Sequence, residues 1–211
     1  MEIWADFIKR ARETAPGVEM WINEGAILPR GRRIDAYLEI VELLIENSAT
    51  PDGMGFMGHF REGSLTPPDE VYRRLDLYAK HIPSLQITEL DVEVGNDEQL
   101  QADYFRDILT ICYSHPAMKA ILLWGFWEGR HWRSDAALWR EDWSIKPAGQ
   151  VWKDLIFDEW WTNETSKTDG SGKTINRVFN GNYELLIDYK GKQYVEKLTV
   201  EDDFTLEIII D

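Results

Sequence analysis

The chain has 211 residues, 44% of them hydrophobic, with a formal net charge of −15 and a pI near 4.7. Such a composition suits one or two globular domains, and its acidity argues against nucleic acid and anionic membranes as partners. The single cysteine, Cys112, excludes an internal disulfide, and no apolar run is long enough to cross a bilayer as a helix.

In chain order, residues 2–15 place Ile3, Trp4, Phe7, Ile8 and Ala11 at helical spacing, and Pro16-Gly17 ends that helix. The pattern here is not that of a secretory signal peptide, which leaves the location of the protein open. VEMWIN (18–23) reads as a strand and residues 32–47 as a helix. GMGFMGHF (53–60) reads as a second strand. The helix after it carries Thr66 as its cap, with Pro67 in the first turn. SLQITELDV (84–92) is the third strand. Residues 96–115 form the next helix, with Asn96 as cap and Gln99 three residues on. MKAILLWGF (118–126) is the fourth strand, and residues 146–157 form a last helix with a proline start. Strand centres recur roughly every 33 residues, the spacing of parallel βαβ units. An open doubly wound sheet and part of a (βα)8 barrel both fit that pattern. After Asp158 the chain turns polar. NYELLIDY, KQYVEKLTV and FTLEIIID then alternate like antiparallel strands, predicting a small β-sandwich-like module over 159–211 behind a βα domain over 1–158.

Polar residues gather at the carboxyl ends of these strands, where βα proteins build their sites. Asn23 ends the first, His59 the second, and Glu89 and Asp91 the third; Trp124, Trp127 and Trp132 follow the fourth. Glu89 and Asp91, two apart on a strand, share a face. Four histidines, His59, His81, His115 and His131, show no ligand spacing, so no metal is expected. No glycine-rich phosphate loop occurs, and no cofactor is expected.

INEGAIL, GFMGHF, ITELDV and LLWGFWEGRHWR, in that order, resemble glycoside hydrolase family 10, mainly endo-β-1,4-xylanases on a (βα)8 barrel. The resemblance covers residues 1 to about 158 and begins at the helix after the family's fourth strand. It therefore implies the second half of a TIM barrel, of about four βα units. By resemblance Glu89 is the catalytic nucleophile, His59 the histidine that bonds it, and Asp91 the carboxylate that supports His59. Asn23, Trp124, Trp127 and Trp132 become sugar contacts, and xylan or xylo-oligosaccharide the partner.

The departures from the family pattern are specific. The family's acid/base glutamate follows an asparagine at the end of strand four, before this match begins. Asn23-Glu24 imitates that dipeptide from the strand-five motif, so Glu24 is not assigned as the acid. Met57 stands where the family often has glutamine, and Gly25-Ala26 where it often has Tyr-Asn. A half-barrel without its acid is expected to be inactive alone, and its open sheet edges to favour self-association. The alternative is a non-catalytic, polysaccharide-binding or remnant protein. His81 and His115, near helix ends, are expected at the surface; Glu128, Arg130 and Arg133 are expected to be solvated loop charges.

Overall fold

The computed structural model describes residues 2–210, and the chain divides after Trp152 into two units. In the first, helix and strand alternate: α1 (Glu2–Thr14), β1 (Trp21–Glu24), α2 (Ile34–Glu46), β2 (Gly53–Phe56), β3 (His59–Arg61), α3 (Pro68–Ala79), β4 (Leu85–Glu93), α4 (Glu98–Ser114), β5 (Met118–Leu123) and α5 (Pro147–Asp154). Every strand pair is parallel, as helical crossovers require. β1 pairs with β2, while β4 pairs with β2 and β3 on one side and β5 on the other. The sheet is open: no closed barrel forms, and β1 and β5 each have one neighbouring strand among the described residues.

One face of this sheet is a packed core. Met54, Phe56, Leu85 and Ile87 are fully buried, as are Val41 of α2, Val71, Leu75 and Tyr78 of α3, and Ile108 and Leu109 of α4. Phe56 and Tyr78 rings lie 5.2 Å apart, as do Phe60 and Tyr104. Each such side chain contributes about 1.5–3 kcal/mol by leaving water. α1 turns Ala5 and Ile8 towards Leu44, Ala49, Ile22 and Ile40, but leaves Ile3, Trp4 and Phe7 exposed. Asn23, Gly55 and Thr88 meet on the opposite face of the sheet. A Cβ on Gly55 would lie 2.6 Å from Asn23 Oδ1 and 2.7 Å from Thr88 Cγ2, so only glycine fits there.

The structure shifts several elements from their predicted form. Residues 53–60 are two short strands, not one. Gly58 bridges them: its N–H donates to the Glu89 carbonyl and its own carbonyl accepts from the Asp91 N–H. The fourth strand stops at Leu123 instead of 126. Thr66 does not cap α3. Its hydroxyl is buried and bonds to the Leu28 and Pro29 carbonyls, and Pro67 occupies the cap position. α4 is capped by Asp97, whose carboxylate accepts from the Leu100 N–H, and not by Asn96. Gln99 instead donates to Asp103 within the helix. α5 ends in a π turn, Leu155–Glu159.

The second unit holds one hairpin, β6 (Gly181–Tyr189) antiparallel to β7 (Lys192–Val200). Lys190 and Gly191 both take positive φ, 48° and 79°, as a two-residue turn of this twist demands. Residues 204–210 form no strand, so the expected sandwich reduces to two strands. The reason lies in the burial pattern. Leu185 and Leu186 point to opposite faces and both stay exposed, as do Val195, Phe204 and Leu206, so the third segment finds no apolar face to cover.

Candidate active site

The site is assembled by β3 and β4. The parallel register sets His59 beside Asp91. Its Nε2 lies 3.0 Å from Glu89 Oε2, and its Nδ1 lies 3.0 Å from Asp91 Oδ2, the latter contact off the line of a good hydrogen bond. The imidazole therefore stands between two carboxylates. Glu89 reaches it from an irregular stretch of β4. Against β5, Ile87 pairs with Ile121 and Leu90 with Leu123, so Thr88 and Glu89 lie within a bulge. Bulges re-aim side chains beside sites, and this one frees Glu89 from strict alternation.

Burial of His59 opposes its charging, but the carboxylates of Asp91 and Glu89 together outweigh burial and raise its pKa above the ordinary histidine value. A cation held there offsets the repulsion that two neighbouring carboxylates would otherwise feel. Asp91 is 2% exposed, and its Oδ2 also accepts from Trp132 Nε1 at 2.7 Å, while its Oδ1 is buried without a hydrogen-bond partner among the described residues. The Glu89 side chain keeps 16% of its surface open. His131 behaves oppositely; burial, joined by nearby Lys146 and His59, holds it below the ordinary value despite Asp91 and Asp135.

Trp132 and Trp124 meet His59 edge-on, at ring-centroid distances of 5.0 and 6.1 Å. Both remain about half exposed, leaving indole surface for a flat, partly apolar ligand. Trp127 is engaged elsewhere. It stacks on Trp143 at 5.0 Å and 10°, and its Nε1 donates to the Glu141 carbonyl. Asn23, on β1, accepts from the Thr88 hydroxyl at 3.0 Å and so stands beside the Glu89 bulge. Glu24 is committed to its own loop: one carboxylate oxygen accepts from the Gly25 N–H and pairs with Arg33 at 3.1 Å.

Sequence reasoning missed a second layer. Arg133 is not a solvated loop charge: its side chain is 10% exposed, lies 3.8 Å over the Trp132 ring and pairs with Glu93 at 2.8 Å. Glu93 continues the Glu89–Asp91 alternation by one more step, which was the available signal. Burial first, then Asp135 and Asp91, raise the Glu93 pKa against the opposing Arg61. Glu128 also has a partner, Lys146, at 3.3 Å. His115 lies in the interior, 2% exposed, with Nδ1 accepting from the Ala117 N–H; it shapes the turn into β5. Among the described residues no group of three or more His, Cys, Asp or Glu is placed to hold a metal.

The geometry supplies a partly open carboxylate, an imidazole that orients it, a buried carboxylate that holds the imidazole, and two indoles beside them. Such a set can present Glu89 to an electrophilic carbon while a ring rests on tryptophan.

The chain is 33% identical over 192 residues to the anti-sigma-I factor RsgI6 of Acetivibrio thermocellus, covering 90% of this chain and 24% of that protein. It is 26% identical over 212 residues to endo-1,4-beta-xylanase 2 of Arabidopsis thaliana, covering 98% of this chain and 19% of that one. Among solved structures, xylanase 10B of Thermotoga petrophila in complex with xylobiose superposes with a TM-score of 0.67 at 25% identity, over 75% of this chain and 52% of that chain. Xylanase 10B of Thermotoga maritima gives 0.66 at 25%, over the same shares. The chain thus spans about a quarter or less of these curated relatives and about half of these solved xylanases. The model of glycosyl hydrolase family 10 matches residues 5–155, and the chain belongs to that family.

Proposed function

We propose that this chain carries the nucleophile half of a retaining hydrolase for β-1,4-xylan, with Glu89 as the attacking carboxylate. The observation that supports it is the Glu89–His59–Asp91 arrangement, with imidazole nitrogens 3.0 Å from each carboxylate. In the first step Glu89 Oε attacks the anomeric carbon, the glycosidic C–O bond breaks, and the leaving oxygen takes a proton. In the second, water displaces Glu89 and restores the carboxylate. Retention requires a second carboxyl about 5–5.5 Å from the nucleophile to give and later take that proton. Asp91 is 2% exposed and held against His59 and Trp132, and Glu24 is held in its loop, so the acid comes from the other half of the barrel. General acid catalysis is worth roughly 10²–10⁴-fold, so this chain alone turns over natural xylan poorly. Trp124, Trp132 and Asn23 hold sugar rings at the site, with Trp127 at its margin. The open β1 and β5 edges, and the exposed Ile3, Trp4 and Phe7 of α1, favour association with a second half-barrel or a second copy.

The test separates nucleophile from acid. A 2-fluoro xylobioside with an activated aryl leaving group needs no general acid. Incubation should add one glycosyl mass to the intact chain, mapped to Glu89 and absent in Glu89→Gln. An adduct on another residue, or equal labelling of Glu89→Gln, sinks the assignment.

A second reading has its own support: the relative that matches 90% of this chain at 33% identity is named for a regulatory role, an anti-sigma factor. On that reading the half-barrel binds polysaccharide without cleaving it. Retarded migration in xylan-containing gels, with no adduct from the fluoro sugar, would favour it.

A further inference from the structure

Four arginines, Arg30, Arg32, Arg61 and Arg74, line an open groove of about 520 Å³ between the segments that follow β1 and β3. Among the lining residues Glu62 is the only acid. In a chain of net charge −15, this concentration of positive charge runs against the whole. The neighbouring carboxylates do not neutralise it. Glu70 lies 2.8 Å from Arg74 but is also held by Arg73 at 2.6 Å. Glu93 lies 3.5 Å from Arg61 but is closer, at 2.8 Å, to Arg133. Each carboxylate thus serves two guanidiniums, and Arg30 and Arg32 have no ion pair among the described residues.

The groove is also built in advance. Arg74 Nη1 donates to the Ile27 and Leu28 carbonyls, and the Thr66 hydroxyl donates to the Leu28 and Pro29 carbonyls. The floor beneath Arg30 and Arg32 is therefore tied to α3. At physiological salt, charges separated by more than about 8 Å are largely screened, so an entering ion feels these arginines more than the distant acidic surface.

We propose that this groove is an oxyanion site, taking a carboxylate or phosphate group through Arg30 and Arg32, with Arg61 and Arg74 as a fixed positive wall. A guanidinium presents paired N–H donors that match either anion. The proposal does not rest on the catalytic reading, because Glu89 takes no part in it.

The test is an NMR titration of the full chain with sodium phosphate and, separately, sodium glucuronate, at constant ionic strength set by chloride. The expected result is saturable shifts at residues 30–32 and 61–64 with at least one anion, weakened about tenfold or more in R30A/R32A. R30K/R32K should retain part of the affinity. Saturation by phosphate alone identifies a free oxyanion as the ligand, and by glucuronate alone an acidic sugar. No saturation with either anion overturns the proposal, as does binding that R30A/R32A leaves unchanged. Loss of the Glu89 adduct in the experiment above would leave this result untouched.

Discussion

Replacing Asp91 by asparagine tests how the site holds His59. The two side chains are nearly isosteric, so no cavity forms and the Trp132 N–H keeps an oxygen acceptor. What is lost is the negative charge 3.0 Å from His59 Nδ1, on a side chain only 1% exposed. Breaking a buried ion pair costs about 3–5 kcal/mol, and the retained Trp132 hydrogen bond recovers about 1 kcal/mol. The expected loss is therefore about 2–4 kcal/mol where His59 is charged. The sign with pH follows from its raised pKa. That pairing stabilises the native state fully below the unfolded histidine value of about 6.5, and the contribution disappears as pH rises through the higher folded value. The penalty in Asp91→Asn is thus largest near pH 6 and shrinks towards pH 9. Urea unfolding at both pH values, with both proteins at one concentration, measures it. Histidine-resolved NMR titration separates His59, which should fall towards the ordinary value, from His131, which already lies below it. A wild-type urea midpoint at pH 6, or an unmoved His59 titration, would refute the ion-pair account.

Three further outcomes are expected. Gly55→Ala should cost about 1–3 kcal/mol in urea unfolding, because the new methyl meets Asn23 and Thr88 at under 3 Å. Arg74→Met removes the donor to two buried carbonyls and should cost about 2–4 kcal/mol, with faster amide exchange over residues 25–33. Ala26 sits at φ 63°, so Ala26→Gly should raise stability by about 0.5–1 kcal/mol, read as a higher melting temperature. The family's usual asparagine tolerates that conformation better than alanine, which gives the Gly25-Ala26 departure a measurable cost.

The Glu89–His59–Asp91 cluster was legible because its logic is short-range. Glu89 and Asp91 are two residues apart on one strand, and His59 lies at the end of an apolar run, next to its last residue Phe60, whose neighbour in a parallel sheet is the next strand. The helices were legible from their 3.6-residue periodicity, since α2, α3 and α4 each bury one stripe. The caps were less so. Thr66 looks like a cap in sequence, yet the carbonyls of Leu28 and Pro29, brought from 38 and 37 residues away, claim its hydroxyl. Trp127 and Trp132 are alike in sequence, five residues apart. One stacks on Trp143 and the other donates to Asp91, because the loop after β5 turns between them. The third β segment of the second unit carries a fair strand pattern, but alternation says nothing of whether a partner face exists.

Readable in the linear chain were the helices, the parallel order of the strands, the family motifs and the nearness of Glu89 and Asp91 on one strand. Periodicity and neighbouring positions carry that information, and both survive in a linear string. Only the tertiary structure decided that the sheet stays open, that a bulge re-aims Glu89, that Trp132 anchors on Asp91, that Arg133 packs over Trp132, and that four arginines share one groove. Those outcomes depend on distances between residues far apart in the chain. Such distances are set by packing and by competition for buried hydrogen-bond partners, which no local pattern records.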